Sequence, residues 1–204
     1  TGERKWVLET GQGVYEEDGT VEALEGIIID ITESKQQQNQ IQYINDNDSL
    51  TGVYNRSYYE RAKPLLEAES NLPLSIIMAD INGLRLINDV FGLASGNLLI
   101  SETAKIIKSC CRERDILART GGDEFSIISP NTDFDKANEI RLSIKKALTE
   151  CNSSIEDKAL EISLSLGYAV RLTNETSIEE TEKIAEAYMD RRKLLNKKSH
   201  RNVY

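Results

Sequence analysis

Three carboxylates define the chemistry open to this chain. Asp123 and Glu124 follow two glycines in the run Arg119-Thr120-Gly121-Gly122-Asp123-Glu124-Phe125, and Asp80 closes the apolar run Leu74-Ser75-Ile76-Ile77-Met78-Ala79. Carboxylate oxygens are hard ligands that suit Mg²⁺, while glycines let a ligand's phosphates approach the backbone. A strand-end acid beside an acidic hairpin turn, in one sheet, places three carboxylates around a pair of divalent ions. Such a pair neutralises a triphosphate and activates an attacking hydroxyl, leaving the protein mainly to position the reactants. Taken alone, residues Gly121 to Glu124 read equally well as an ordinary acidic turn, so the rest of the chain decides.

The elements that must position these acids are legible. Ile116-Leu117-Ala118 and Phe125-Ser126-Ile127-Ile128 read as two strands joined at Gly121-Gly122, a turn signal that tolerates positive φ at both positions. Leu74 to Ala79, bounded by Pro73, reads as a buried strand with Asp80 at its exit. Before it, Asp48, read as a capping residue, and Gly52 precede a helix carrying Tyr59, Ala62 and Leu66, which Pro64 should bend. After it, Leu84, Ile87 and Phe91 share one helical face, and Arg85 and Asn88 fall away from that face. Gly92 and Gly96 are expected to break the chain before a helix with the stripe Leu99, Thr103, Ile106 and Cys110. A further helix runs through Ala137, Ile140, Ile144, Ala147 and Cys151. Glu161 to Leu166 alternates as a half-buried strand, with Gly167 a candidate bulge. Ser177 and Glu180 stand in capping-box spacing at the start of a last helix that runs to about Leu195.

Composition narrows the function classes. The chain has 204 residues and a formal net charge of −9, which argues against nucleic acid or an anionic membrane as the main partner. No apolar run is long enough to span a bilayer, and no signal peptide is visible. Three cysteines, with Cys110 and Cys111 adjacent, suit a reducing cytoplasm and offer no metal-ligand spacing. A cytoplasmic setting is expected, with any membrane attachment outside this stretch. The chain begins at Thr1 on residues that already read as mid-sheet sequence, so an excised fragment is expected.

Residues 1–32 hold three strand-like runs, Lys5 to Glu9, Gly13 to Tyr15 and Val21 to Asp30, with Glu17-Asp18-Gly19 as a turn. Trp6, Asp18-Gly19, Gly26 and Asp30-Ile31-Thr32 resemble the last part of a PAS sensor domain; a plain three-stranded sheet would leave the same strands. Residues 33–47 are polar, with Ile41, Tyr43 and Ile44 as their apolar anchors, and read as a connecting helix. It is either solvated or paired with its copy in a second subunit.

Asp48 to Arg56, Asp80 to Gly96 and Arg112 to Phe125 resemble, in order and spacing, successive motifs of the GGDEF family of diguanylate cyclases. The resemblance covers about residues 45–204, and residues 48–204 are assigned to that domain. It implies an α/β (α+β) cyclase-like fold with a central, mostly antiparallel sheet flanked by helices, preceded by the partial PAS sheet and the linker helix. It implies that two GTP molecules condense to cyclic di-GMP and pyrophosphate across a homodimer, with Mg²⁺ or Mn²⁺ as cofactor and cyclic di-GMP also a feedback inhibitor. By the same resemblance Asp80, the Ile81 carbonyl, Asp123 and Glu124 hold metal, and Asp80, Asp123 and Glu124 are catalytic. Leu84, Arg85, Gly121, Gly122 and Lys193 contact phosphates, with Lys197 or Arg201 as a second cation. A helix C-terminus favoured by its dipole would explain that basic end equally. Asn88 and Asn97 read guanine. Arg112 and Asp115, joined by Arg141, match the inhibitory product site, against a reading of Arg112-Asp115 as a surface ion pair.

Four positions depart from the family pattern. Asn82 replaces a second Asp, Arg85 a Lys, Leu93 a His, and Asn97 an Asp that accepts from guanine. Three readings stay open: a cyclase of GTP, a cyclase with relaxed purine choice, and a degenerate module that binds GTP or cyclic di-GMP for signalling.

Overall fold

The structure, a computed structural model, describes residues 2–201, with side chains described as far as residue 195. Contacts divide the chain into two compact units, Thr1–Asn45 and Asp46–Tyr204.

In the first unit β1 (Val7–Tyr15) and β2 (Val21–Asp30) form an antiparallel hairpin. Its turn is set by Gly19 at φ 83° and by Asp18, whose carboxylate accepts from the Thr20 N–H at 2.9 Å and hydroxyl at 2.6 Å. The expected break between Lys5–Glu9 and Gly13–Tyr15 is absent, because Gly11 pairs with Gly26 and the strand runs on. A Cβ at Gly26 would lie 2.7 Å from the Thr10 carbonyl, so glycine here permits close strand approach and does not mark a turn. Both faces of this ribbon are exposed, Leu24 at 84%. α1 (Thr32–Asp46) follows, with Ile41, Tyr43 and Ile44 exposed.

The second unit is built on a five-stranded sheet in the order β3-β5-β6-β4-β7, comprising β3 (Tyr54–Asn55), β4 (Leu74–Ile81), β5 (Ile116–Arg119), β6 (Glu124–Ser129) and β7 (Leu164–Arg171). Only the short β3–β5 pair is parallel. β4, between β6 and β7, is buried along its whole length. Ile77, Ala79 and Ile81 face one core with α3 (Leu84–Phe91), α4 (Leu93–Ser109) and α5 (Phe134–Asn152). Leu74, Ile76 and Met78 face the other with α2 (Arg56–Leu66) and α6 (Ile178–Arg201). A strand covered on both faces is apolar throughout, which is why its carboxylate exit stood out in the sequence. No helix among the described residues is long and apolar enough to cross a membrane.

Several local expectations are corrected. Asn55, not Asp48, caps α2 by accepting from the Tyr58 N–H at 3.0 Å, and Pro64 lies inside that helix. Gly92, at φ 82°, makes the break between α3 and α4, whereas Gly96 is buried within α4. β7 starts at Leu164 and passes Gly167 without a bulge. A Cβ on Gly167 would lie 2.2 Å from the Ala185 carbonyl and 2.3 Å from the Met189 nitrogen, so this glycine lets α6 lie directly on the sheet. The capping box is present at the start of α6: the Glu180 N–H donates to the Ser177 hydroxyl at 3.1 Å and the Ser177 N–H to the Glu180 carboxylate at 2.9 Å.

Candidate active site

The β4–β6 register sets Asp80 opposite Glu124, and the Ile81 N–H donates to the Asp123 carbonyl at 2.9 Å, extending the ladder one residue into the turn. One oxygen from each of Asp80, Asp123 and Glu124 therefore falls within 4.8 Å of the others. The Asp80 side chain is 2% exposed. Its Oδ2 accepts from Lys193 of α6 at 2.5 Å, and its Oδ1 is buried without a partner.

Burial, then the neighbouring negative charges, raises the Glu124 carboxyl. Burial also raises Asp80, outweighing the Lys193 ammonium. At Lys193 burial works against the charge, but Asp80, Asp123 and Asp190 prevail and its pKa rises. Three converging carboxylates with one orphaned buried oxygen fit a divalent cation: it would supply the missing partner and relieve the repulsion. Asp80, Asp123 and Glu124 are the residues whose oxygens can hold it.

The turn itself is braced from a distance. Arg119, at the end of β5, donates to the Gly122 carbonyl at 2.7 Å through Nη2 and to Asp48 at 3.2 Å through Nη1. Asp48 in turn accepts from the Thr51 N–H at 3.0 Å and hydroxyl at 2.7 Å. Burial alone would raise the Asp48 carboxyl; Thr51 and Arg119 together hold it below its ordinary value. Neither glycine of the turn has positive φ, contrary to the hairpin expectation. A Cβ on Gly121 would meet Glu124 Oε2 at 2.7 Å, so a side chain there would push the Glu124 carboxylate aside. Sequence reasoning missed Arg119 altogether and misread Asp48 as a helix cap. The position of Arg119 two residues before the first of the two glycines was the available signal.

The other candidates distribute unevenly. Leu84 is buried at the start of α3, behind Gly83 at φ 75°, while Arg85 is 96% exposed and 3.9 Å from Asp89. Asn88 lies against α4: a Cβ on Gly96 would stand 1.8 Å from Asn88 Oδ1, which places Asn88 next to the turn bearing the exposed Asn97. Asn82 is turned to β7, donating to Ser163 Oγ at 3.0 Å and accepting from Ser165 at 2.8 Å. The side chains of Lys197 and Arg201 lie outside the described residues.

Arg112 and Asp115 are not a surface pair. The Asp115 side chain is fully buried and Arg112 grips it through Nη2 at 2.7 Å and through its backbone N–H at 2.7 Å, while also reaching the Pro130 carbonyl at 3.2 Å. Arg141, on α5, is held by Asn138 at 2.7 Å.

A family profile described as "Diguanylate cyclase, GGDEF domain" matches residues 45–199. Diguanylate cyclase A of Treponema denticola is 38% identical over 99 residues, 48% of this chain and 27% of that protein. The probable diguanylate cyclase DgcE of Escherichia coli is 30% identical over 144 residues, 69% of this chain and 13% of that protein. The chain thus spans about a quarter or less of the length of these relatives. Among solved structures, the coiled-coil and GGDEF region of DgcB from Caulobacter crescentus, in complex with c-di-GMP, superposes with a TM-score of 0.68 at 21% identity. That match covers 78% of this chain and 86% of that one, and shows likeness of fold.

Proposed function

Since the chain belongs to the GGDEF family of diguanylate cyclases, we propose that its larger unit condenses two GTP molecules into cyclic di-GMP and two pyrophosphates. The carrying observation is the trio Asp80, Asp123 and Glu124, with an orphaned buried oxygen at Asp80 and a lysine at its edge. In each of two steps a 3′-oxygen bonds to the α-phosphorus of the facing GTP, the bond to the β-phosphate oxygen breaks, and the hydroxyl proton leaves. Bound Mg²⁺ or Mn²⁺ would neutralise the phosphates and lower the pKa of that hydroxyl. The acids and the Ile81 carbonyl would hold the metal, and Asp123 is assigned to help draw off the proton. Lys193 is assigned to the phosphates, which would compete with Asp80 for its ammonium. Gly121 and Gly122 offer backbone approach, Leu84 and Arg85 complete the phosphate side, and Asn88 and Asn97 meet the base.

Condensation of two bound nucleotides requires two domains facing each other, so the active form is a homodimer. In this reading residues 1–32 are the end of a PAS sensor, residues 33–47 carry its signal, and residues 48–204 respond. Arg112, Asp115 and Arg141 are assigned to product inhibition. Product there would have to share an Arg112 fork already committed to Asp115, so Arg112→Lys with a melting control is the suitable probe. The exposed Asn97 at the usual Asp position favours a second reading, a cyclase with relaxed purine choice.

The protein is mixed with Mg²⁺ and labelled GTP, and cyclic dinucleotide and pyrophosphate are measured. Both products at a constant ratio are expected. Nucleotide binding without either product would instead assign the chain to the degenerate signalling modules.

A further inference from the structure

Strand β7 is the last in its sheet, and its outer edge lies between α5 and α6. The Asn82 N–H donates to the Ser163 carbonyl at 2.8 Å, which fixes the alternation of the β4–β7 ladder. Ser165, Gly167 and Ala169 bond inward to β4, and the backbone groups of Leu164, Leu166, Tyr168 and Val170 point away from it. Among the described residues no backbone partner meets those outward groups.

Two adjoining hollows follow this edge and share Arg192. One, of about 120 Å³, is lined by Lys145, Leu164, Leu166 and Leu195; the other, of about 260 Å³, by Phe134, Gly167, Tyr168 and Tyr188. Phe134 and Tyr188 are both about half exposed beside it. Burial and the nearby charges of Arg141 and Arg192 lower the Lys145 pKa, and no carboxylate opposes them. Among the described residues neither Lys145 nor Arg192 has an ion pair, in a chain whose net charge is −9.

We propose that this edge is a docking groove for an extended acidic segment of a partner protein, which adds as a strand beside β7. Main-chain hydrogen bonds to Leu166 and Tyr168 would supply register. Carboxylates would meet Lys145 and Arg192 at one end, and apolar side chains would settle between Phe134 and Tyr188 at the other. Two copies of this chain do not suit each other here, because the lining of both hollows offers cations and no carboxylate to meet them.

The probe is a fluorescent peptide of about seven residues, long enough for one strand. It carries two aspartates at one end, alternating valine and threonine through the middle, and phenylalanine at the other end. It is titrated with the whole chain. Binding is expected, weakened about tenfold by Lys145→Glu and by Arg192→Glu. Amide exchange at Leu166 and Tyr168 should slow on binding while that at Gly167 stays as it was. Methylating alternate peptide nitrogens should abolish binding in one of the two possible sets. Both substitutions sit on exposed helix positions, and circular dichroism checks that the variants fold. Failure to bind, equal binding of the peptide with asparagines for aspartates, or binding without slowed exchange at Leu166 and Tyr168 would overturn the proposal. Self-association of the charge-reversed variants without peptide binding would overturn it too, leaving the cations as guards of a free edge.

Discussion

At the scale of single residues, the acids at the β4–β6 end hold charge at a cost to the fold. Burial and the neighbouring carboxylates raise Glu124 above its ordinary value of 4.5. Between that value and its raised one, the folded state holds more protons than the unfolded, so stability falls as pH rises through the window. Glu124→Gln should therefore raise the melting temperature at neutral pH in metal-free buffer, and the gain should vanish once pH drops below 4.5. Saturating Mg²⁺ should reverse the order, because only the parent keeps the ligand. A variant that melts below the parent in metal-free buffer would contradict this account. Asn97 makes a separate residue-level prediction. Guanine presents two donors and a carboxylate accepts both, whereas an amide offers one acceptor and turns a donor toward the other. Losing a charge-assisted bond of roughly 1.5–3 kcal/mol corresponds to about tenfold to a hundredfold in GTP use. Asn97→Asp should raise the ratio of GTP to ATP consumption clearly; an unchanged ratio would remove Asn97 from base reading.

At the scale of elements, two contacts set the site and neither is local. Arg119 ties the Gly122 carbonyl to Asp48, 71 residues away in the chain. Arg119→Ala should lower stability by about 2 kcal/mol, by leaving Asp48 without its cation and the turn carbonyl unpaired. It should also slow turnover about tenfold to a hundredfold, since a shifted turn misplaces Asp123. A large melting shift with full activity would show that the brace does not position the turn. Gly167→Ala should cost about 1–3 kcal/mol by forcing α6 off the sheet, and should separate Lys193 from Asp80. These contacts also show where sequence reading succeeds and stops. Asp80 and the hairpin were legible because a doubly covered strand and a Gly-Gly turn are local patterns. The Arg119–Asp48 link, the burial of Asp115 and the role of Gly167 depend on segments meeting in space. The break expected between Glu9 and Gly13 misled because Gly11, a ladder residue opposite Gly26, looks in sequence like a turn residue.

For the whole molecule, the proposed activity turns on what would bring two copies of the second unit together. The β1–β2 ribbon and the Ile41, Tyr43 and Ile44 positions of α1 leave large apolar side chains exposed. In the second unit, the last residue of α1, Asp46, accepts from Arg61 of α2, and Asp48 begins the brace that ends at Gly122. A change at the end of α1 thus has a short covalent and hydrogen-bonded route to the turn bearing Asp123. Association of α1 with its copy would bury Ile41 and Ile44, but a single helix of this polarity has few such positions, so the dimer should be weak. Specific activity should accordingly rise with protein concentration across the micromolar range. Ile41→Glu combined with Ile44→Glu should depress activity at low concentration while leaving the melting of the catalytic unit unchanged, since both side chains lie outside its cores. A flat concentration dependence in the parent would mean that assembly is not the limiting step, and loss of activity at every concentration in the double variant would mean that α1 acts within one chain.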